Sequence, residues 1–279
     1  MSTYGRRISC SRSSTVFAIL GDPIGQVKSP AQVTASLRAR SRNAILVPLH
    51  VTSSDFDDVV RALEAIRNLD GLVITVPHKF AAFQHCKQVT ERASFLQAVN
   101  VMRRSRSGAW EGDMCDGQGF VDAILQKGDV LAGKRALLLG AGGAGTAIGY
   151  ALLEAGVDRL SIHDIDKMRK RELVQKLRQR FDDRVCEVES DPGEFDIVAN
   201  ATPAGMENLQ DSPINLERLR PTMIVGDVVT ATGETALIRA ARSIGCVCST
   251  GHDMYRALQE TMVDFLLSSD EFGAGSDQQ

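Results

Sequence analysis

"KRALLLGAGGAGTAIGYALLEAG", residues 134–156, decides the fold. "KRALLLG", Lys134 to Gly140, reads as a strand. Gly140, Gly142 and Gly145 then make GxGxxG, and the apolar residues that follow keep a helical spacing up to Gly156. Strand, glycine turn and helix in that order are the context in which this motif binds a dinucleotide. Gly140 permits the tight turn, Gly142 lets the backbone approach a pyrophosphate, and Gly145 lets helix and strand pack closely. Gly143 and Ala144 belong to the same cradle. The helix N-terminus offers N–H groups and its positive dipole end to phosphates. A glycine-rich helix start with no ligand is the bland alternative, and the complete context weighs against it. Asp164 follows at about the 20-residue distance expected of the acid that accepts hydrogen bonds from the adenine ribose. A carboxylate there repels a 2′-phosphate, so NAD is expected in preference to NADP. Lys167, Arg169 and Lys170 would soften that repulsion unless they are a solvated helix face, and Asp166 suits a helix cap.

The same reading extends on both sides. Downstream, strands are predicted at Leu160–Ile162, Phe195–Ala199, Met223–Val228 and Cys246–Ser249, with helices over Lys167–Phe181, Thr235–Ile244 and His252–Leu267. Upstream, this unit begins near Asp129. Before it, Val16–Leu20 and Ala44–Val51 read as strands. A helix follows Ser29, its cap, and Pro30. Phe56, Val59, Val60, Leu63 and Ile66 space a second helix within 55–67. Gly71–Val76 is apolar throughout, which suits a strand buried on both faces of a parallel sheet covered by helices. The alternation of strands and helices makes an α/β protein.

"ITVPHKF", residues 74–80, ends that last strand with a proline and then a lysine. Ligands of open parallel sheets bind beyond the carboxyl ends of the strands, which is where Lys79 falls. The segment alone leaves a solvated strand-end lysine as an equal reading. "QAVNV" (97–101) carries Asn100. "GDMCDGQGF" (112–120) carries Asp113 and Asp116 among glycines, a loop composition. "NATPAGM" (200–206), with Thr202 and Met206, follows an apolar strand and would lie near a nicotinamide. Each of these alone is an ordinary turn.

Composition narrows the function. With 279 residues, 43% hydrophobic and 24% charged, the chain can bury a sizeable core. A net charge of −3 and the lack of a basic stripe argue against nucleic acid as a partner. No apolar run reaches the ~18 residues of a membrane span. The six cysteines include no CxxC. Cys246 and Cys248 share one strand face and read as core more readily than as a metal site, so no metal is expected. A reduced, cytoplasmic chain fits. Residues 1–14, rich in Ser and Arg, read as a disordered tail or a transit peptide, and 273–279 as a disordered end.

In order along the chain, "GDPIGQVKSP", "VITVPHK", "AVNV", "GDMCDGQGF", "GAGGAGTAI", "NATPAGM" and "GHDMYRALQ" resemble the shikimate/quinate dehydrogenase family, from about Phe17 to about Leu267. The resemblance implies a two-domain α/β protein. Its substrate-binding domain would span 15–126 and 252–279, and its Rossmann dinucleotide-binding domain 127–251, with the C-terminal helix returning to the first domain. It implies reversible oxidation of a ring hydroxyl of shikimate, quinate or a related cyclic polyol acid with NAD(P), a small-molecule substrate, and a possible homodimer. Lys79 matches the catalytic lysine and Asp116 its paired aspartate. Thr75 and Asn100 match contacts to substrate hydroxyls. Ser29 matches one of two hydroxyl side chains that hold the substrate carboxylate. Gln259 is the nearest counterpart of a substrate-binding glutamine on the last helix.

The chain departs from the family at several places. Val27 stands for the second hydroxyl residue, Thr230 for a tyrosine, and Leu258 for the glutamine itself. Asp164-Ile165-Asp166 replaces the Asn-Arg-Ser/Thr of NADP-binding members. The hydride machinery is thus expected intact and the carboxylate end altered. Loss of hydride from carbon requires loss of the hydroxyl proton, hence a base in reach. An amine serves only in its neutral form, which desolvation favours and a neighbouring carboxylate opposes. Asp116 is therefore read as orienting Lys79 and the hydroxyl. Two rivals remain: the same chemistry on a hydroxylated ring without a carboxylate, and a module that binds NAD without turnover.

Overall fold

The computed structural model describes residues 14–25, 29–187 and 191–268. The chain divides into two compact units, one reaching Met114 and resuming at Met262, the other running from Cys115 to Thr261. The resemblance implies boundaries at 126/127 and 251/252. The N-terminal stretch before Ser14, the C-terminal residues from 273, Val27 and Lys28 lie outside the described residues. Ser14 itself is buried, and its hydroxyl donates to Asn43 Oδ1 at 3.2 Å.

The first unit contains β1 (Thr15–Gly21), α1 (Ser29–Ala39), β2 (Ala44–His50), α2 (Phe56–Leu63), β3 (Leu69–Ile74), α3 (Lys79–His85), β4 (Gln88–Val89), α4 (Glu91–Leu96), β5 (Val101–Arg104) and β6 (Trp110–Asp113). Its sheet runs β2-β1-β3-β5-β6-β4. The first three strands are parallel, as their apolar runs suggest. The sheet is not parallel throughout, however, because β5 pairs antiparallel with both β3 and β6. Strands β5 and β6 carry charges. The sheet buries them by pairing: Arg103 Nε donates to Glu111 Oε2 at 2.8 Å, both residues being buried.

The second unit contains α5 (Asp116–Leu125), β7 (Arg135–Leu139), α6 (Gly143–Glu154), β8 (Arg159–His163), α7 (Lys167–Phe181), β9 (Val185–Glu187), β10 (Ile197–Asn200), β11 (Ile224–Asp227), α8 (Ala236–Ser243), β12 (Val247–Ser249) and the start of α9 (Gly251–Leu267). Its sheet, β12-β11-β10-β7-β8-β9, is parallel throughout. This is a doubly wound Rossmann arrangement, in which the order reverses beside β7. Cys246 and Cys248 are buried in the core that β7, β10, β11 and α8 share.

The glycine-rich stretch 116–119 is helix, not loop. Its glycines serve packing. A Cβ on Gly117 would lie 2.0 Å from the Ala147 carbonyl oxygen of α6, and one on Gly119 would lie 2.7 Å from Leu258 Cβ of α9. The last turns of α9 group with the first unit. There Arg103 Nη1 donates to the carbonyls of Phe265 (3.3 Å) and Ser268 (2.9 Å), which satisfies acceptors a helix end leaves without intrahelical partners.

Candidate functional site

Three segments distant in sequence meet at the carboxyl end of β3. Beyond Ile74 the chain turns through Pro77 and restarts as α3. Thr75 N–H donates to the Leu20 carbonyl (3.0 Å), and Asp22 N–H to that of Val76 (3.0 Å). The turn rests on His78, whose ring is buried, stacks on Phe56 at 4.4 Å and donates Nε2–H to the Val51 carbonyl at 2.7 Å. Ile74 N–H donates to the Asn100 carbonyl (2.8 Å), Val99 N–H to that of Lys79 (3.0 Å), and Asn100 N–H to that of Asp113 (2.9 Å). Backbone bonds thus bring Thr75, Lys79 and Asn100 to one edge. Asn100 is fully buried, while Thr75 and Lys79 are half-buried. Lys79 is the first residue of α3, where the helix dipole offers a cation no stabilisation. A role in holding the helix therefore does not explain it.

Asp113 anchors this edge. It is buried and accepts from Arg92 Nε (2.7 Å) and Nη2 (2.5 Å), Thr90 Oγ1 (2.5 Å) and Met114 N–H (2.7 Å). Burial pushes its carboxyl up, but the Arg92 hydrogen bonds and charge, with Thr90 and Met114, outweigh that and hold it below the ordinary carboxylate value. Asp116, three residues on, opens α5 in the second unit and is half-buried. Ser29 opens α1 in the first unit. Gln259 is buried in α9, within the second unit, its amide donating to the Tyr255 hydroxyl at 3.4 Å. Leu258 packs over Gly119, and Thr230 is exposed.

The glycine turn has the geometry of an anion cradle. Gly140 has φ +96°, a backbone that favours glycine. A Cβ on Gly145 would lie 2.0 Å from the Gly140 carbonyl oxygen, so the helix start and strand end are in direct backbone contact. By contrast, no atom lies within 4 Å of where a Cβ on Gly142 or Gly143 would stand. Gly142 caps α6, and the first N–H groups of a helix have no intrahelical acceptor. Open space, a helix N-terminus and a close backbone approach fit a dinucleotide pyrophosphate.

Asp164 sits beside this turn with both carboxylate oxygens engaged by backbone. Oδ2 accepts Ala141 N–H at 2.6 Å and Oδ1 accepts Asp166 N–H at 2.8 Å. Asp166 caps α7 through the N–H groups of Met168 and Arg169. Of the three nearby cations, Lys170 is buried with Nζ 3.9 Å from Glu187, Arg169 pairs with Asp166 at 3.4 Å, and Lys167 is exposed. Ile165 is 94% exposed, at the tip of the turn.

A buried polar relay at the carboxyl ends of β10 and β11 escaped the sequence reading. Asp227 accepts Asn200 Nδ2 (3.0 Å), Thr235 Oγ1 (2.7 Å) and Val229 N–H (3.1 Å). Asn200 Oδ1 in turn accepts both the N–H (3.0 Å) and the hydroxyl (2.7 Å) of Thr202. Burial pushes the Asp227 carboxyl up against the opposing pull of these bonds. The relay fixes Thr202 at the sheet edge, while Met206 beyond it is exposed. Asp227, Thr235, Thr250 and His252 help line a cavity of about 240 Å³. The one available signal was Asp227 itself, a carboxylate ending an apolar strand.

The Rossmann sheet, its glycine turn and the lysine edge define an NAD(P)-dependent oxidoreductase. Comparison with known proteins narrows this class. The shikimate dehydrogenase substrate binding domain family matches residues 19–102. The shikimate dehydrogenase (NADP(+)) of Shouchella clausii is 30% identical over 86% of this chain and 88% of its own. That of Rubrobacter xylanophilus is 34% identical over 86% of each. The ligand-free crystal structure of 5-ketofructose reductase of Gluconobacter sp. superposes with a TM-score of 0.85 at 26% identity, covering 92% of this chain and 94% of that one. The chain belongs to the shikimate dehydrogenase family.

The expected preference for NAD over NADP does not hold, since both of those shikimate dehydrogenases are NADP(+) enzymes. The expectation treated Asp164 as a carboxylate presented to the ribose. In the structure its oxygens accept two backbone N–H groups, so it is not the free carboxylate that the expectation assumed. Among the described residues, no helix is long and apolar enough to cross a membrane.

Proposed function

We propose that this protein reversibly oxidises a ring hydroxyl of shikimate, quinate or a related cyclic polyol acid. The observation that carries the reading is the convergence of Thr75, Lys79 and Asn100 at one strand edge through the bonds Ile74 to Asn100 and Val99 to Lys79. NAD(P), when bound, supplies the hydride acceptor or donor. Gly142, Gly143, Ala144 and Gly145 hold its pyrophosphate, and Gly140 gives the turn its shape. Thr202 and Met206 would serve its nicotinamide end. Lys79 takes the proton from the reacting hydroxyl and returns it in the reducing direction. Asp116 orients the reacting hydroxyl. Asn100 and Thr75 bind ring hydroxyls, and Ser29, with Gln259 as a further polar group, serves the rest of the substrate. The units divide near residues 115 and 261. A cytoplasmic location is part of the reading, supported by the free cysteines Cys86, Cys115, Cys186, Cys246 and Cys248 among the described residues.

A second reading keeps the chemistry and removes the carboxylate from the substrate. Val27, Thr230 and Leu258 offer less to a carboxylate than the residues they replace. A structural relative reduces 5-ketofructose, a keto sugar rather than a carboxylic acid. The deciding experiment is a panel of cyclic hydroxy acids and keto sugars, each with NAD and with NADP, followed at the nicotinamide absorbance. Highest kcat/KM on a cyclic polyol acid supports the first reading. A keto sugar or carboxylate-free ring at the head of the panel supports the second. Binding without turnover of any member would overturn both.

A further inference from the structure

We propose that Asp227 is a positioning residue for the nicotinamide end of the cofactor site, acting through Asn200 on Thr202. The inference rests on the dinucleotide reading of the second unit. It assigns a role to a buried acid that the proton and hydride steps do not use.

A carboxylate buried without a cation is costly, and a network of donors must offset that cost. Asp227 is 1% exposed, and its hydrogen-bond partners are neutral. Oδ1 accepts Asn200 Nδ2 at 3.0 Å and Val229 N–H at 3.1 Å, and Oδ2 accepts Thr235 Oγ1 at 2.7 Å. These donors come from the end of β10, the turn after β11 and the cap of α8. The cap does not require the acid, because Thr235 Oγ1 itself accepts Ile238 N–H at 3.3 Å. What the acid adds is a tie between the turns after β10 and β11. Both turns stand at the carboxyl edge of the sheet, where ligands of open parallel sheets bind.

The amide of Asn200 has one possible orientation. The backbone N–H of Thr202 can only donate, so the atom facing it at 3.0 Å is Oδ1, and Nδ2 turns to Asp227. Asn200 Oδ1 also accepts the Thr202 hydroxyl at 2.7 Å, which commits the single proton of that hydroxyl. Thr202 Oγ1 accepts Ala204 N–H at 3.2 Å, and its remaining lone pair is an acceptor. Asn200 is fully buried and Thr202 half-buried. The relay thus runs from a buried carboxylate to a hydroxyl at the sheet edge. It holds that hydroxyl in one rotamer, so that a ligand meets it only as an acceptor.

A network that only stabilises the fold and one that positions Thr202 predict different outcomes. The test uses Asn200→Asp, which sets a carboxylate against Asp227 where the 3.0 Å bond now stands. The double variant Asn200→Asp, Asp227→Asn restores a donor facing an acceptor with the polarity exchanged. Binding of NADH and NADPH is measured by nicotinamide fluorescence. Binding of ADP-ribose and its 2′-phosphate, which lack the nicotinamide, is measured by calorimetry. In Asn200→Asp the dinucleotide dissociation constants should rise on the order of tenfold, the worth of one hydrogen bond to a charged group. Those of the two fragments should stay within about twofold of wild type, roughly the scatter of an uncoupled site. In the double variant the dinucleotide values should return to within about threefold of wild type, because the two positions are coupled. If Asn200→Asp does not fold, Asn200→Ala removes the link without adding charge and should show the same selective loss. An equal loss for dinucleotides and fragments overturns the proposal, as does wild-type dinucleotide binding in the single variant or failure of the double variant to recover. Each of those results leaves the dinucleotide reading standing. Wild-type protein that binds neither NADH nor NADPH overturns that reading itself, and the positioning role with it.

Discussion

Gly142 and Gly145 belong to one turn, yet alanine should cost very different things at the two positions. At Gly145 the added Cβ would lie 2.0 Å from the Gly140 carbonyl oxygen and 2.9 Å from its carbon. Both are backbone atoms, so relief requires the start of α6 to move off the end of β7. Overpacking of this kind costs about 1–3 kcal/mol, or a Tm drop of about 2–12 °C for a unit of this size. At Gly142 nothing lies within 4 Å, and φ −78°, ψ −168° is extended backbone open to alanine. Reduced freedom of the unfolded chain stabilises Gly142→Ala by about 0.4–1 kcal/mol. Replacing glycine at the cap costs roughly as much. The two offset, and Tm should stay within about 2 °C of wild type. The new methyl group nevertheless projects into the space assigned to phosphate. Loss of one charge-assisted hydrogen bond there costs about 1.5–3 kcal/mol, or roughly 10- to 150-fold in Kd. Thermal unfolding and fluorescence titration with NADH and NADPH should be run side by side on both variants. Gly142→Ala should fold normally and bind weakly, whereas Gly145→Ala should lose stability first. Wild-type affinity in Gly142→Ala for both dinucleotides would refute the reasoning, because the open space would then not be the phosphate site.

Lys79→Ala should lower kcat on the order of 10²–10⁴-fold, typical of a general acid–base group, with dinucleotide Kd nearly unchanged; turnover within a few-fold of wild type would return Lys79 to a strand-end role. Gly117→Ala forces a Cβ to 2.0 Å from the Ala147 carbonyl and should destabilise the second unit by about 1–3 kcal/mol, read as faster hydrogen exchange in α5 and α6. Arg92→Leu leaves Asp113 buried without its charged partner and should cost about 3–5 kcal/mol at neutral pH. Because the folded value of Asp113 is lowered, its contribution is present above the ordinary carboxylate value of 3.8 and is lost as pH falls through the folded value. Urea midpoints measured from neutral to acid pH should therefore fall less steeply in Arg92→Leu than in wild type; parallel curves would argue against this linkage.

Local chemistry was enough for the Rossmann unit. A strand, a glycine turn and a helix are written in consecutive residues. The apolar spacing of Lys167–Phe181 marks α7 with the bounds the structure has, because amphipathic periodicity needs no distant partner to be read. Lys79 could be placed at a strand end for the same reason. What the tertiary structure decided lies wherever a residue's meaning depends on its partner. The sequence does not say that Arg103 and Glu111 are partners; that is decided when β5 and β6 pair and bring the two charges together inside the sheet. The glycines of 116–119 read as a loop, since glycine is a poor helix former. They are helical because α5 meets α6 and α9 at backbone distance, where no side chain fits. Asp164 illustrates the limit most directly. Its position in sequence is that of a ribose-binding acid, but which donor its oxygens face is set by how two turns of the folded sheet approach each other, and there they accept Ala141 and Asp166 N–H. Sequence order records neither that approach nor its direction.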